Sequence, residues 1–288
     1  MTGELSVVLG NIEESLGRTE REEKKRLGHI SELCYTLLHG PCGAACTEEG
    51  PALAAAMKVL SSLRPLPSAR DRASLIEGLF REGERCFGRP LRLSDFSEGP
   101  RPPLTNARVA YVKNPQADLA YRRFAELLSE PSAFPCKGSA SLADGLRNGY
   151  ADYAVIPFLS GGRPLPSAVA FIEEHSFFVT AVTAASQGDE GLSFALLARE
   201  PVSHRPPTHL LFRLEEREGE TLPELLKLLS LWDIRCLFLD SSALPYAREY
   251  AVARLLVSGD GEALSRLFVY LTLYAPGVIG HGFYFELN

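Results

Sequence analysis

The chain has 288 residues, 45% hydrophobic and 23% charged, the composition of an ordinary globular protein with room for two or three modest domains. A formal net charge of -6 gives no electrostatic reason to expect DNA, RNA or an anionic membrane surface as partner, and no apolar run approaches the roughly 20 residues that span a bilayer. Residues Met1 to Ser6 lack a basic stretch leading an apolar one, and the six cysteines are scattered, so a cytoplasmic protein with reduced thiols is expected.

Residues 3–88 read as helical. Leu5, Val8, Leu9, Ile12 and Leu16 recur at helical spacing, a charged stretch runs from Arg18 to Arg26, and the apolar stripe resumes at Leu27, Ile30, Leu33 and Leu37. This is one long helix with a solvated middle, or two helices broken near Gly17. Gly40-Pro41 ends it. A second helix has its body from Leu53 to Leu63, and a third starts at Ser68 or Asp71 and reaches Phe87. Residues 89–106, with four prolines, read as a linker.

Strands are then expected at Arg108–Val112, Asp152–Ile156, Phe177–Ala184 and Phe194–Ala198, with helices at Leu119–Leu128, Leu142–Arg147 and Ala168–Glu174. Alternation of strand and helix implies βαβ units and a mainly parallel sheet. Beyond the His204-Arg-Pro-Pro-Thr linker, strands at Leu210–Leu214, Ile234–Leu239, Tyr250–Val257 and Val278–Tyr284 and helices at Thr221–Leu231 and Gly261–Tyr274 follow the β-α-β-β-α-β order of a ferredoxin-like unit.

The run Asn148-Gly-Tyr-Ala-Asp-Tyr-Ala-Val-Ile-Pro157 reads as a polar turn feeding a buried strand whose carboxyl end opens into a loop, where ligands of α/β sheets bind. It resembles the Gly-x-Ala-Asp-Tyr-Gly-Val-x-Pro stretch of prephenate dehydratases. Val109-Ala-Tyr-Val is similar to that family's first strand and Phe194-Ala-Leu-Leu-Ala-Arg199 to its last. The order of parts resembles the bifunctional P-protein, which joins a chorismate mutase, a prephenate dehydratase and a phenylalanine-sensing ACT domain. The resemblance implies an α+β protein in three parts. These are an N-terminal helical bundle (1–88), a truncated periplasmic-binding-protein-like α/β lobe (107–200, after the 89–106 linker) and a ferredoxin-like ACT domain (207–288).

The departures from that family bear on chemistry. Its Glu-Asn pair falls on Leu159 and Ser160, and its Thr before Arg-Phe falls on Leu192. Its loop after the first strand is replaced by the shorter Lys113-Asn-Pro-Gln-Ala117. Its second lobe is replaced by about ten residues between Ala184 and Phe194, a loop-sized connection. The resemblance therefore implies a prephenate dehydratase-like protein of the phenylalanine branch, catalytically degenerate and acting in regulation or assembly. The alternative is an active mutase or dehydratase with altered catalytic residues. Ser160 and Ser193 lie at or beside the lost positions and are candidates for residual binding, or ordinary strand-edge serines. Arg18 and Arg26 are candidates for a cationic clamp on the carboxylates of chorismate. The competing reading is a solvated face in which Glu22 pairs with Arg26 at i,i+4.

In the ACT-like segment, the resemblance places an amino-acid effector against Glu220, Thr221 and Leu222 and a turn at Asp240, Ser241, Ser242 and Ala243. Asp240 would hold the ammonium, or the unit dimerises without a ligand. A homodimer is expected, with no cofactor. Cys34, His39, Cys42 and Cys46 fit no zinc spacing, so no metal is expected and Cys34 is read as a buried helical thiol.

Overall fold

The computed structural model describes residues 21–35, 38, 57–58, 60–61, 68–96, 104–185, 191–202, 204–217, 221–244, 247–275 and 277–287. Arg18, Glu220, His39, Cys42 and Cys46 therefore lie outside the described residues, as does most of the expected second helix. Contacts divide the chain into two compact units, Met1–Leu91 and Arg92–Asn288.

In the first unit, residues 21–35 form helix α1 and Ala69–Phe87 form helix α2. Ser68 caps α2 by accepting from the Asp71 amide, and Gly88, at φ 65°, ends it in the left-handed conformation that glycine tolerates. The buried stripe Leu75, Ile76, Leu79 and Phe80 explains why the helix forms here. Gly78 lets α1 come close: a Cβ there would sit 2.9 Å from Cys34 Sγ. The Cys34 thiol donates to Leu75 O at 3.5 Å. Burial first, and the Glu82 charge second, push it up to about 12. Cys34 is therefore expected to resist alkylation in the folded protein at mildly alkaline pH, while exposed Cys236 reacts. Mass spectrometry after a timed iodoacetamide pulse checks this; rapid Cys34 labelling without unfolding would contradict it.

The second unit is built on one ten-stranded mixed sheet. Its strands are β1 (Arg108–Val112), β2 (Ser132–Cys136), β3 (Tyr153–Ser160), β4 (Arg163–Pro164), β5 (Phe178–Ala184), β6 (Leu192–Ala198), β7 (His209–Arg217), β8 (Arg235–Leu244), β9 (Ala247–Ser258) and β10 (Val278–Leu287). The order is β2-β1-β3-β6-β5-β10-β7-β9-β8, with β4 beside β3. Helices α3 (Pro115–Ala125), α4 (Ser139–Arg147), α5 (Pro166–His175), α6 (Thr221–Leu231) and α7 (Gly261–Tyr274) fill the connections.

The sheet departs from the mainly parallel expectation. β1 pairs parallel with β2 and β3, but β6 runs antiparallel to both β3 and β5. The cause is the short link between β5 and β6, since only an antiparallel hairpin closes over so few residues. β2 is absent from the sequence reading. It is an edge strand, exposed along four of its five residues, and Pro135 is tolerated there because an edge has ladder positions that need no N–H. Pro157 does not end β3. The strand continues to Ser160 through a register shift between Pro157 and Leu159, the irregularity that admits a proline.

Two apolar layers cover the first half of the sheet. On one face Ala117, Ala120 and Phe124 of α3 pack over Val109, Tyr153 and Leu196. On the other, Leu142 and Leu146 of α4 and Ile172 of α5 pack over Ala154, Phe158 and Leu197. Burial on both faces explains the unbroken apolar run of β3. Strands β10-β7-β9-β8 are antiparallel, and the β-α-β-β-α-β element order is observed across 209–287. β10 also pairs parallel with β5, Phe285 opposite Ala181 through Leu287 opposite Thr183. The segments expected at 107–200 and 207–288 thus share one sheet.

Candidate functional site

β1, β2, β3, β5 and β10 point the same way, so their carboxyl ends gather at one end of the sheet. After β1 the chain turns at once into α3. Asn114 caps the helix, its Oδ1 accepting from the Ala117 amide at 2.8 Å. The Tyr111 hydroxyl donates to Asp118 Oδ1 at 2.8 Å and its ring stacks on Tyr121. Burial, and next that bond to Asp118, raise Tyr111 to about 12, so it stays a protonated phenol. After β2 the Ser141 hydroxyl accepts from the Gly138 amide at 3.2 Å at the start of α4. Ser160 is exposed at the end of β3, where Gly161 and Gly162 turn the chain with positive φ. Leu159 is buried in the core and Leu192 is half-buried. These positions offer no proton donor.

A cavity of about 150 Å³ opens at this end of the sheet, beside β5, β6 and β10. Arg123, Thr183, Ala184, Ser193, Glu286 and Leu287 line it. Arg123 reaches across from α3, and its Nη1 donates to Ala184 O at 2.9 Å and to Thr183 Oγ1 at 3.4 Å. Glu286 Oε1 lies 3.7 Å from His209 Nε2. Burial lowers the His209 pKa, and the Glu286 charge partly offsets this. Of the two serines singled out in the sequence, Ser193 is at the cavity and Ser160 is not. Arg123 was not foreseen. On α3 it looks like one of two solvent arginines in a last turn, and Thr183, 60 residues on, carries no local signal.

Arg26 does not pair with Glu22. It forms an ion pair with Asp71 Oδ1 of α2 at 2.9 Å, and Arg70 pairs with Glu23. A buried carboxylate across the helix interface wins over an exposed one along the same helix. Among the described residues no group of three or more His, Cys, Asp and Glu is placed to hold a metal.

Thr221 and Leu222 open α6 and are half-buried. Asp240, Ser241 and Ser242 do not form a turn; they continue β8, opposite Arg254, Ala253 and Val252 of β9. The physical reason is that β8 is an edge strand, where the side chains of Asp240 and Ser241 stay in water. Asp240 Oδ2 lies 3.6 Å from Arg254 Nη1, so that carboxylate already has a cation. Arg254 is held more tightly by Glu173 of α5, Nε to Oε1 at 2.6 Å and Nη2 to Oε2 at 2.9 Å. Beside them His281 is buried, its Nε2 has no hydrogen-bond partner, and burial lowers its pKa. A signal for this cluster was present: an arginine inside the apolar run Ala251-Val-Ala-Arg-Leu-Leu-Val257 demands a partner.

Over 63% of its length the chain has a prephenate dehydratase-like fold. The prephenate dehydratase from Streptococcus mutans matches with a TM-score of 0.51 at 13% identity, over 63% of this chain and 100% of that one. GqqA, described as a novel type of quorum quenching acylase, matches at 0.46 and 22% identity, over 62% of this chain and 94% of its own. The prephenate dehydratase of Arthrobacter aurescens, solved in complex with L-Phe, matches at 0.44 and 10% identity, over 62% of this chain and 89% of its own. No family model matches the chain, and no curated protein does. No helix among the described residues is long and apolar enough to cross a membrane.

Proposed function

We propose that this chain is a prephenate dehydratase-like protein of the phenylalanine branch that has lost dehydratase chemistry. On this reading it acts in regulation or assembly through residues 207–288, taken as an ACT-like unit. The carrying observation is that every strand from 108 to 198 lies in one sheet, with β5 returning directly into β6. The resemblance places a second substrate-covering lobe at that connection. Dehydration with loss of carbon dioxide needs a proton donor at the leaving hydroxyl and a closed, dry site. Leu159 and Leu192 donate no proton, and a cavity of about 150 Å³ open at the sheet end does not enclose prephenate. The assembly half of the reading is supported by β8, whose outer edge is unpaired among the described strands and which exposes Leu237 and Leu239.

The test is an assay of the purified chain with chorismate and prephenate, beside thermal melting with L-phenylalanine. No turnover of either substrate, with a raised melting temperature under phenylalanine, is the expected result. Turnover of prephenate would overturn the loss of dehydratase chemistry and return the enzymatic alternative. A monomer by light scattering would remove the assembly role.

A further inference from the structure

We propose that the cavity beside β5, β6 and β10 is a binding site for a small monocarboxylate of about five or six non-hydrogen atoms, held by Arg123. The inference is independent of the function proposed above. It starts from a charge without a counter-charge. Among the described residues Arg123 makes no ion pair. Among the described residues its hydrogen bonds all leave from Nη1, to the Ala184 carbonyl and the Thr183 hydroxyl. Those two bonds fix the plane of the guanidinium. They leave the donors on Nη2 and Nε unpartnered among the described residues. A half-buried guanidinium oriented by backbone, with free donors beside a cavity, matches the two oxygens of a carboxylate.

The other walls agree with that ligand. The Thr183 and Ser193 residues bring hydroxyls, which donate to a carboxylate oxygen. Ala184 and Leu287 supply apolar wall for a short carbon body. Glu286 lines the same cavity without pairing with Arg123, and its side chain is half exposed. An α-amino acid would therefore find a carboxylate for its ammonium as well as a cation for its carboxylate. Size sets the scale. A volume of about 150 Å³ is that of a cavity that takes benzene, a body of six carbons. Propionate and alanine fit within it; an aromatic amino acid would extend out through the open mouth.

The experiment is isothermal titration of the full chain with sodium propionate, L-alanine and, as a cation-only control, propylamine. Propionate and alanine are expected to bind saturably and propylamine not to bind. Tighter binding of alanine than of propionate assigns Glu286 to the ammonium, and equal binding assigns the site to plain carboxylates; either supports the proposal. Arg123→Gln is expected to weaken binding by about tenfold to a hundredfold, the usual consequence of losing a charge-assisted pair. Arg123 also holds the Ala184 carbonyl, so Ser193→Leu provides a second route: it fills the cavity, leaves the guanidinium in place and is expected to abolish binding. Absence of saturable binding, binding of propylamine equal to that of propionate, or unchanged binding in a folded Arg123→Gln or Ser193→Leu protein would overturn the proposal. Thermal melting of Arg123→Gln with L-phenylalanine separates the two readings: a shift that survives the substitution reports on the ACT-like unit, and one that is lost reports on this cavity.

Discussion

Gly282→Ala is expected to destabilise the second unit by about 3 kcal/mol or more, while Gly280→Ala, two residues away, changes stability by no more than about 0.5 kcal/mol. The contrast follows from the backbone of β10. Gly282 has φ 137°, a conformation that L side chains rarely adopt and that costs of the order of 1–3 kcal/mol elsewhere. A Cβ at Gly282 would also collide with the Val179 carbonyl oxygen and lie 2.6 Å from the Val179 nitrogen. Both obstacles are backbone, so no side-chain rotation relieves them. At Gly280 a Cβ meets nothing within 4 Å.

The position matters because β10 serves two neighbours. It pairs antiparallel with β7 from Val278 to Tyr284 and parallel with β5 from Phe285 to Leu287. Both partners at the joint are irregular, β10 between Gly280 and Gly282 and β5 between Val179 and Ala181. A methyl group wedged there pushes β10 off β5 and divides the sheet. Urea denaturation of the two variants and the parent checks the expectation. A lowered midpoint with a reduced m-value in Gly282→Ala would mark loss of the joint before the rest unfolds. Equal midpoints for the two alanine variants would refute the role given to Gly282.

This joint had no signature in the sequence, and the reason is general. A three-residue parallel pairing is made by backbone groups, which every residue carries. Helices α6 and α7 were legible to their terminal residues, because each buries a leucine stripe and exposes its other side. β1 was legible as an unbroken apolar run, since both of its faces are buried. β2 was not, because a strand with Ser132, Ala133, Phe134 and Pro135 all exposed has no alternation to read. Asp240, Ser241 and Ser242 looked like a turn because turn residues and edge-strand residues have the same composition. At the sheet end, Ser193 was reachable from the motif around Phe194. Arg123 and Glu286 were not, since their meaning depends on a cavity assembled from segments 60 or more residues apart.

Arg254→Met is expected to cost about 2–3 kcal/mol, and Glu173→Gln a similar amount, because each leaves the other charge largely out of water without its partner. The side chains are 27% and 11% exposed, so the pair is neither a surface bridge nor a fully dry one, and the lower end of the buried range applies. The double variant is expected to lose less than the sum by about 2 kcal/mol, the signature of direct coupling in a mutant cycle. Asp240→Asn serves as the control. Its side chain is 53% exposed and its contact with Arg254 is 3.6 Å, so the change stays within about 0.5 kcal/mol.

His281 adds a pH dependence whose direction is fixed. Burial lowers its pKa, as do Arg213 and Arg254, while Glu173 raises it. In the parent, His281 binds its proton less readily when folded than when unfolded. It therefore contributes a loss of stability as pH falls below the unfolded imidazole value of about 6.5. Arg254→Met removes one of the cations opposing that proton and leaves Glu173 without its bidentate partner. The folded pKa of His281 rises, and the imidazolium replaces part of the lost charge. The penalty of Arg254→Met is thus expected to be smaller at about pH 5.5 than at about pH 7.5. The penalty of Glu173→Gln moves the opposite way, since Glu173 is the group that favours the His281 proton. Denaturation midpoints of both variants at the two pH values decide the matter. Parallel pH profiles for the two would show that His281 does not sense this ion pair.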